Sequence, residues 1–186
     1  MKIKNIYTTI LLHVVFFIFG TILFISFFHT SLFKEISILF YRGIIFLVTT
    51  CFLMLLLMLL FKKNSYGRMF TYRDIILSVV LIFCLNLVFF THLPVTADRS
   101  ISIFILGYMN KYSNKTLTPN EVSTLLIKKY VYEYGAVNKR LNEQVLSGDI
   151  SLKGNEYQIT KQGKFLMKLY SVIADVFNIN KKLIYP

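Results

Sequence analysis

The chain has 186 residues, a net charge of +12 and a pI near 9.7, and its mean hydropathy is +0.60. Charged residues make up 16% of it, whereas soluble globular proteins contain about 25%, so an ordinary soluble domain over the full length is excluded. The two cysteines, Cys51 and Cys84, both lie within apolar runs and provide neither a metal-binding motif nor an indication of the compartment.

Three long stretches of the first half carry no charge: residues 5–33, 43–61 and 75–97 contain no Asp, Glu, Lys or Arg. Each exceeds the roughly 18 residues that a helix needs to cross the hydrocarbon core. We therefore predict transmembrane helices at about 7–28, 43–61 and 75–92, within a membrane domain of residues 1–96. Residues 97–186 have the composition of a soluble domain and are predicted to form a separate polar domain.

The basic residues that flank the predicted spans favour one orientation. The N-terminal tail and the second linker together carry six of them, Lys2, Lys4, Lys62, Lys63, Arg68 and Arg73, whereas the opposite side has three, Lys34, Arg42 and Arg99. Because positive residues remain on the cytoplasmic side, this predicts a cytoplasmic N-terminus and a C-terminal domain outside. The abundance of Lys, Asn, Ile, Phe and Tyr is typical of an AT-rich genome, which suggests the inner membrane of a bacterium.

Two polar residues fall inside the predicted spans. His13 is ionisable, which makes it a candidate functional residue. The alternative, which we favour, is a neutral imidazole bonded to a neighbouring helix. Asn86 is expected to form a contact between helices.

The segment that follows the third span contains a second group of candidates. His92, Asp98 and Arg99 are expected near the level of the lipid headgroups, where Arg99 could bind a phosphate through two hydrogen bonds. In the alternative reading, Pro94 ends the span, Asp98 caps the next helix, and Arg99 pairs with Asp98 or extends toward the interface.

The polar domain is predicted to begin with three helices. The first covers 98–112, with Asp98 as its N-cap. The second begins with a capping box, "TPNE", whose first residue is Thr118, and it ends at Gly135. The third covers 136–147, where apolar residues repeat every four positions.

A β-hairpin and a last helix are predicted next. In "ISLKGNEYQI", apolar and polar residues alternate on both sides of the pair Gly154-Asn155, which is typical of a hairpin turn. Thr160 is the predicted N-cap of the last helix. The apolar face of this helix consists of Phe165, Leu169, Val172, Ile173 and Val176.

The segments "RLNEQVLSGDI" and "YQITKQGKFL" make residues 98–177 resemble a winged-helix domain. The resemblance rests on an Arg-Leu pair in the third helix, a Gly before the wing and Thr-x-x-Gly after it, here Arg140-Leu141, Gly148, and Thr160 with Gly163. It implies a fold of three helices, a hairpin and a fourth helix. In relatives that bind DNA, the third helix enters the major groove and the wing contacts the backbone.

Under this resemblance, a face that binds DNA or another partner would contain Lys139, Arg140, Lys153, Lys161 and Lys164. Asn138, Lys139, Asn142 and Glu143 would face the bases. From residue 98 onward, however, thirteen basic residues stand against seven acidic ones, and only two are arginines. Specific DNA recognition favours arginine, and a fold alone does not define a function.

Catalytic and metal-binding motifs are not found, so we predict no catalytic, cofactor-binding or metal-binding residues and no cofactor. The overall prediction is a mainly α protein: three transmembrane helices followed by a small winged-helix-like α+β domain with one hairpin.

The first functional hypothesis is an accessory or scaffold subunit in cell-envelope processes, whose extracytoplasmic domain binds a protein partner, such as another membrane protein, or membrane lipids. The second is a membrane-tethered transcription regulator, which requires a cytoplasmic domain for nucleic acid to be a partner. The third is an enzyme that uses His92, Asp98 and Arg99 on a lipid-linked substrate.

Overall fold

The computed structural model describes residues 3–64, 67, 70–114 and 116–178. Lys2 and Arg68, which contribute to the orientation prediction, lie outside the described residues, as do residues 179–186 of the polar domain. The chain divides into two compact units, residues 1–101 and 102–186. It is mainly α-helical with one small hairpin, which confirms the predicted fold class.

Three long apolar helices form the first unit: α1 (Ile3–Phe28), α2 (Leu39–Lys63) and α3 (Tyr72–His92), followed by the short α4 (Pro94–Arg99). Within the described residues, three segments are long and apolar enough to cross a membrane, and they are Ile6–Phe28, Leu39–Lys63 and Tyr72–Arg99. In lipid the backbone must satisfy its own hydrogen bonds, which a helix does. The chain is therefore an integral membrane protein with the three spans that the sequence predicts.

The segment after α3 differs from its prediction at one position. Pro94 starts α4 directly after α3, because a proline at the first helical position lacks only a hydrogen bond that would be unmade there. Asp98 consequently lies inside α4. The next helix begins at Ile101, after Ser100 in an extended conformation. The prediction that Asp98 caps that helix is wrong.

The three long helices run alternately up and down. At the middle of α1, the ring of Phe16 lies 5.5 Å from that of Phe61 at the end of α2. Near its end, Phe24 lies 5.8 Å from Phe90 at the end of α3, and Phe28 lies 5.0 Å from Phe46 near the start of α2. Phenylalanine pairs thus join all three helices, and α1 is parallel to α3.

Gly43 permits a close approach between α2 and α3. A methyl group at this position would overlap the ring of Phe90, which is only 1% exposed. Small residues are common where membrane helices approach closely, because helix association in lipid depends on van der Waals packing.

The second unit follows the predicted order of elements. It contains α5 (Ile101–Lys111, which begins at the last residue of the first unit), α6 (Pro119–Leu125), a π-helix π1 (Leu126–Glu133), α7 (Ala136–Leu146), β1 (Ile150–Lys153), β2 (Glu156–Ile159) and α8 (Lys161–Val176). The capping box at the start of α6 is confirmed, with Thr118 Oγ1 accepting from the Glu121 amide. The resemblance to winged-helix domains stays a prediction.

The hairpin has the predicted two-residue turn. Lys153 pairs with Glu156, which leaves Gly154 and Asn155 as the connection. Gly154 has a φ of 62°, a conformation that favours glycine because other residues are strained there. The turn prediction is confirmed.

The start of α8 is attached to the turn between α7 and β1. Thr160 caps α8, as predicted, and its hydroxyl donates 2.7 Å to the carbonyl of Gly148. Gln162 donates 2.8 Å to the carbonyl of Ser147. A methyl group on Gly163 would overlap the carbonyl oxygen of Asp149, so α8 passes very close to that backbone.

Candidate functional site

A polar cluster lies between the first halves of α1 and α3. His13 Nδ1 is 2.6 Å from Ser78 Oγ, and His13 Nε2 is 3.9 Å from Asp74 Oδ1. Ser78 is 1% exposed, and the side chains of His13 and Asp74 are 13% and 22% exposed. The ring of Phe70 closes one side of the imidazole, with 5.3 Å between ring centroids.

The geometry of this cluster favours a role in joining helices. The hydrogen bond connects His13 to a neighbouring helix, as the favoured reading of this residue predicts. Asp74 Oδ2 also accepts 2.7 Å hydrogen bonds from the amide and hydroxyl of Thr71, which form the capping box of α3. Although serine, histidine and aspartate occur together, the serine hydroxyl is buried and the aspartate is beyond hydrogen-bond distance of the ring. The cluster thus connects α1 to the start of α3.

Asn86 forms no hydrogen bond to another helix within the described residues, so it does not join helices in the way predicted. Its side chain is 1% exposed, and Nδ2 donates 2.8 Å to the carbonyl of Ile82 in the same helix. Its Oδ1 accepts no hydrogen bond from the described part of the chain. The amide bonds to its own helix because the carbonyl four residues earlier is within reach.

The headgroup-level candidates lie on two different helices. His92 is the last residue of α3, and its Nδ1 is 3.0 Å from the carbonyl of Val88 on the same helix. Asp98 and Arg99 are the last two residues of α4. His92 and Arg99 are exposed, while Asp98 is half-buried. A common headgroup site for these three residues stays a prediction.

On α7, part of the face that is predicted to bind DNA or another partner is occupied by an ion pair. Arg140 donates a 2.6 Å hydrogen bond to Glu143, whose side chain is 9% exposed. The expectation that Glu143 faces the bases is therefore wrong, because its carboxylate is buried and paired with this guanidinium. Asn138, Lys139 and Asn142 are exposed.

The remaining lysines of this predicted face are exposed on other elements. Lys153 ends β1, and Lys161 and Lys164 lie in the first turn of α8. Lys168, one turn further along, is also exposed and extends this row. Sequence reasoning missed Lys168, although its spacing of four residues from Lys164 is visible in the sequence.

The apolar face of α8 points away from the second unit. Phe165, Leu169, Val172 and Val176 are 69%, 47%, 58% and 71% exposed. The buried side of the helix contains Gly163 and Ala174 instead. Gly163 allows the close approach to Asp149, so the helix packs through this side. Of the predicted apolar face, Ile173 is half-buried and the other four residues are left uncovered.

An open groove of about 450 Å³ lies between α5 and the α6–π1 segment. It is lined by Tyr108, Asn120, Glu121, Thr124, Leu125, Lys128 and Lys129. Hydrogen bonds from Thr118 hold the pKa of Glu121 below its usual range. The bond from Lys129 to Glu133 raises the lysine pKa and lowers that of the glutamate. Glu121 and Lys129, which line the groove, are thus already bonded to residues three or four positions away in the chain.

A metal centre is not visible within the described ranges, where no three His, Cys, Asp or Glu side chains are grouped suitably. Comparison of the chain with protein families, with curated proteins and with solved structures finds no match. The function must therefore be argued from the surfaces described above.

Proposed function

We propose that the chain is a small multi-pass membrane protein of the cell envelope, whose three helices anchor a winged-helix-like interaction domain on the outer side of the membrane. It acts as an accessory or scaffold subunit. The observation that carries this proposal is the exposed apolar and basic surface of the C-terminal unit, combined with a membrane part in which His13 and Ser78 are bonded to each other between two helices.

The anchoring role is supported by the contacts within the first unit. The His13–Ser78 bond connects α1 to α3, and phenylalanine pairs connect α1 to both α2 and α3. These contacts hold the three helices together as one bundle.

The interaction role is supported by the second unit. Large apolar side chains on α8 and on the hairpin, including Leu152 at 48% and Tyr157 at 42% exposure, remain uncovered. Exposed apolar groups that lie together commonly mark interaction sites.

DNA binding is the alternative, and the exposed Asn138, Lys139 and Asn142 on α7 favour it. Against it, Arg140 is held by Glu143, and freeing it for a base would leave a buried carboxylate without its partner. The alternative also requires the domain to be cytoplasmic, so the location of the domain separates the two functions.

Labelling of single cysteines in intact cells tests the proposal. In a Cys51→Ala/Cys84→Ala background, Asn155→Cys places a thiol in the exposed hairpin turn, and Asn64→Cys places one in the linker after α2. A membrane-impermeant maleimide should label position 155 in intact cells and position 64 only after the cells are opened.

The opposite labelling pattern would refute the external location. The next experiment would then be DNA binding by the full chain in detergent at low salt. Loss of that binding in Lys139→Gln would favour the regulator, because phosphate contacts by lysine dominate such affinity.

A further inference from the structure

We propose that α8 is a membrane-surface helix, whose exposed apolar face enters the headgroup region of the bilayer while its lysines bind anionic lipid phosphates. This deepens the proposed function and rests on it, because it names the ligand for the α8 part of the interaction surface, but it does not depend on the side of the membrane.

The first argument is the arrangement of side chains on α8. Phe165, Leu169, Val172 and Val176 recur at intervals of three or four residues, so they form one stripe. Each is between 47% and 71% exposed. The packing of Gly163 against the Asp149 backbone fixes the rotation of the helix, and this stripe is therefore held outward.

The second argument is the charge beside the stripe. Lys161, Lys164 and Lys168 follow the same helical spacing on the adjoining face, and all three are exposed. Asp175 is the only acidic residue of α8, and it lies in the last turn. A helix with an apolar face of Phe and Leu beside a lysine face is the usual form of a helix that lies in a membrane interface.

The lysines also favour lipid over a second copy of the chain as the occupant of the apolar stripe. In a two-fold symmetric contact through this stripe, the same surface would meet itself, and the lysine rows of both copies would approach each other. Such like charges oppose association, and lysine is depleted in protein interfaces. An anionic lipid surface instead supplies the complementary charge.

The covalent link to the membrane part favours contact between α8 and the bilayer. The chain carries three spans long enough to cross the membrane, so α8 is covalently tethered to a bilayer. Tethering gives the second contact a high effective concentration, and a modest affinity is then sufficient.

The test uses the full chain in vesicles. In the Cys51→Ala/Cys84→Ala background, Val172→Cys carries an environment-sensitive fluorophore on the stripe, and Asn155→Cys carries it in the hairpin turn as a control. The protein is inserted into vesicles of phosphatidylcholine alone, or of equal parts phosphatidylcholine and phosphatidylglycerol. A quencher attached to lipid headgroups and soluble iodide then report the surroundings of the label.

In phosphatidylglycerol vesicles, the label at position 172 should be quenched by the lipid-attached group and protected from iodide, unlike the label at 155. Each lysine near an anionic surface strengthens binding about fivefold. The variant with Lys161→Gln, Lys164→Gln and Lys168→Gln should therefore weaken binding on the order of a hundredfold and return the label to iodide. A matched variant with Lys111→Gln, Lys128→Gln and Lys129→Gln loses the same charge elsewhere and should retain the protection.

Two results would overturn the proposal. A label that iodide quenches equally in both kinds of vesicle places the stripe in water. A label protected from both quenchers places the stripe against protein, which excludes lipid as its occupant. Because the vesicles are symmetric in composition, none of these outcomes depends on the sidedness that the labelling of intact cells decides.

Discussion

Gly43→Ala is expected to destabilise the three-helix bundle by about 3 kcal/mol, the upper end of the usual range for overpacking. The added methyl group would overlap the ring of Phe90, and even the more distant of the two ring Cε atoms would lie 2.8 Å away. Carbon atoms in contact are normally about 3.5–4.0 Å apart. The ring cannot simply withdraw, because it is 1% exposed and lies 5.8 Å from Phe24 and 5.6 Å from Phe28.

The free energy of unfolding can be measured by titrating the protein from mild detergent into SDS while following helical circular dichroism. Phe90→Ala alone should cost about 3–5 kcal/mol through the cavity it leaves. In that background Gly43→Ala should cost nothing, or stabilise by up to about 1 kcal/mol through the higher helix propensity of alanine. The two substitutions should therefore be strongly non-additive.

Gly20→Ala on α1 is a control for which a smaller loss of stability is expected. Its methyl group would lie 3.1 Å from side-chain atoms of Ile82, which can shift, so a cost of about 1 kcal/mol is expected. If Gly43→Ala were as mild as Gly20→Ala, or if its cost persisted without the Phe90 ring, the packing described here for α2 and α3 would be incorrect.

Three further predictions concern the polar contacts. Ser78→Ala should lower the free energy of unfolding in the SDS titration by about 1–3 kcal/mol, because it removes the hydrogen-bond partner of a buried imidazole. An equal loss of stability in a His13→Phe background would show that the His13–Ser78 hydrogen bond is not the cause. Gly163→Ala should destabilise the C-terminal unit by about 2–3 kcal/mol, since its methyl group would overlap a backbone carbonyl, and faster amide exchange in the hairpin should report this. The pKa of Glu121 is held below its ordinary value of 4.5, so its capping contribution is complete above that pH and is lost as the pH falls through the lowered pKa. Amide exchange at the start of α6 should accelerate in that acidic range, and Thr118→Ala should remove this pH dependence; an unchanged pH dependence would refute the capping explanation.

Local signals predicted the elements well. Uncharged runs indicate spans because lipid excludes charge, and the capping box and the Gly154-Asn155 turn depend only on residues adjacent in the chain. The helices nevertheless extend past the predicted spans. α2 begins at Leu39 and α3 at Tyr72, because interfacial residues continue a helix that apolar length alone would end.

Contacts between elements, and the side of each helix that is buried, were harder to predict from the sequence. Ser78 as the partner of His13 depends on how α1 and α3 align, which no local pattern encodes. The winged-helix resemblance implies that Glu143 faces the bases, yet its side chain is buried and pairs with Arg140, three residues earlier. The apolar stripe of α8 has core-like spacing, and only the contact of Gly163 with Asp149 shows that the helix packs through its smaller residues.

The π-helix π1 is a place where the chain can lose one residue without disturbing the segments on either side. Its wide turns, shown by the bond from the Tyr134 amide to the Lys129 carbonyl, accommodate more residues per turn than an α-helix does. Removing one residue there can be absorbed by reverting to α-helical bonding, so the segments on both sides keep their phase. Variants of this protein that differ by one residue in length should therefore differ within Leu126–Glu133, whereas the same deletion in α7 would rotate its exposed and buried faces.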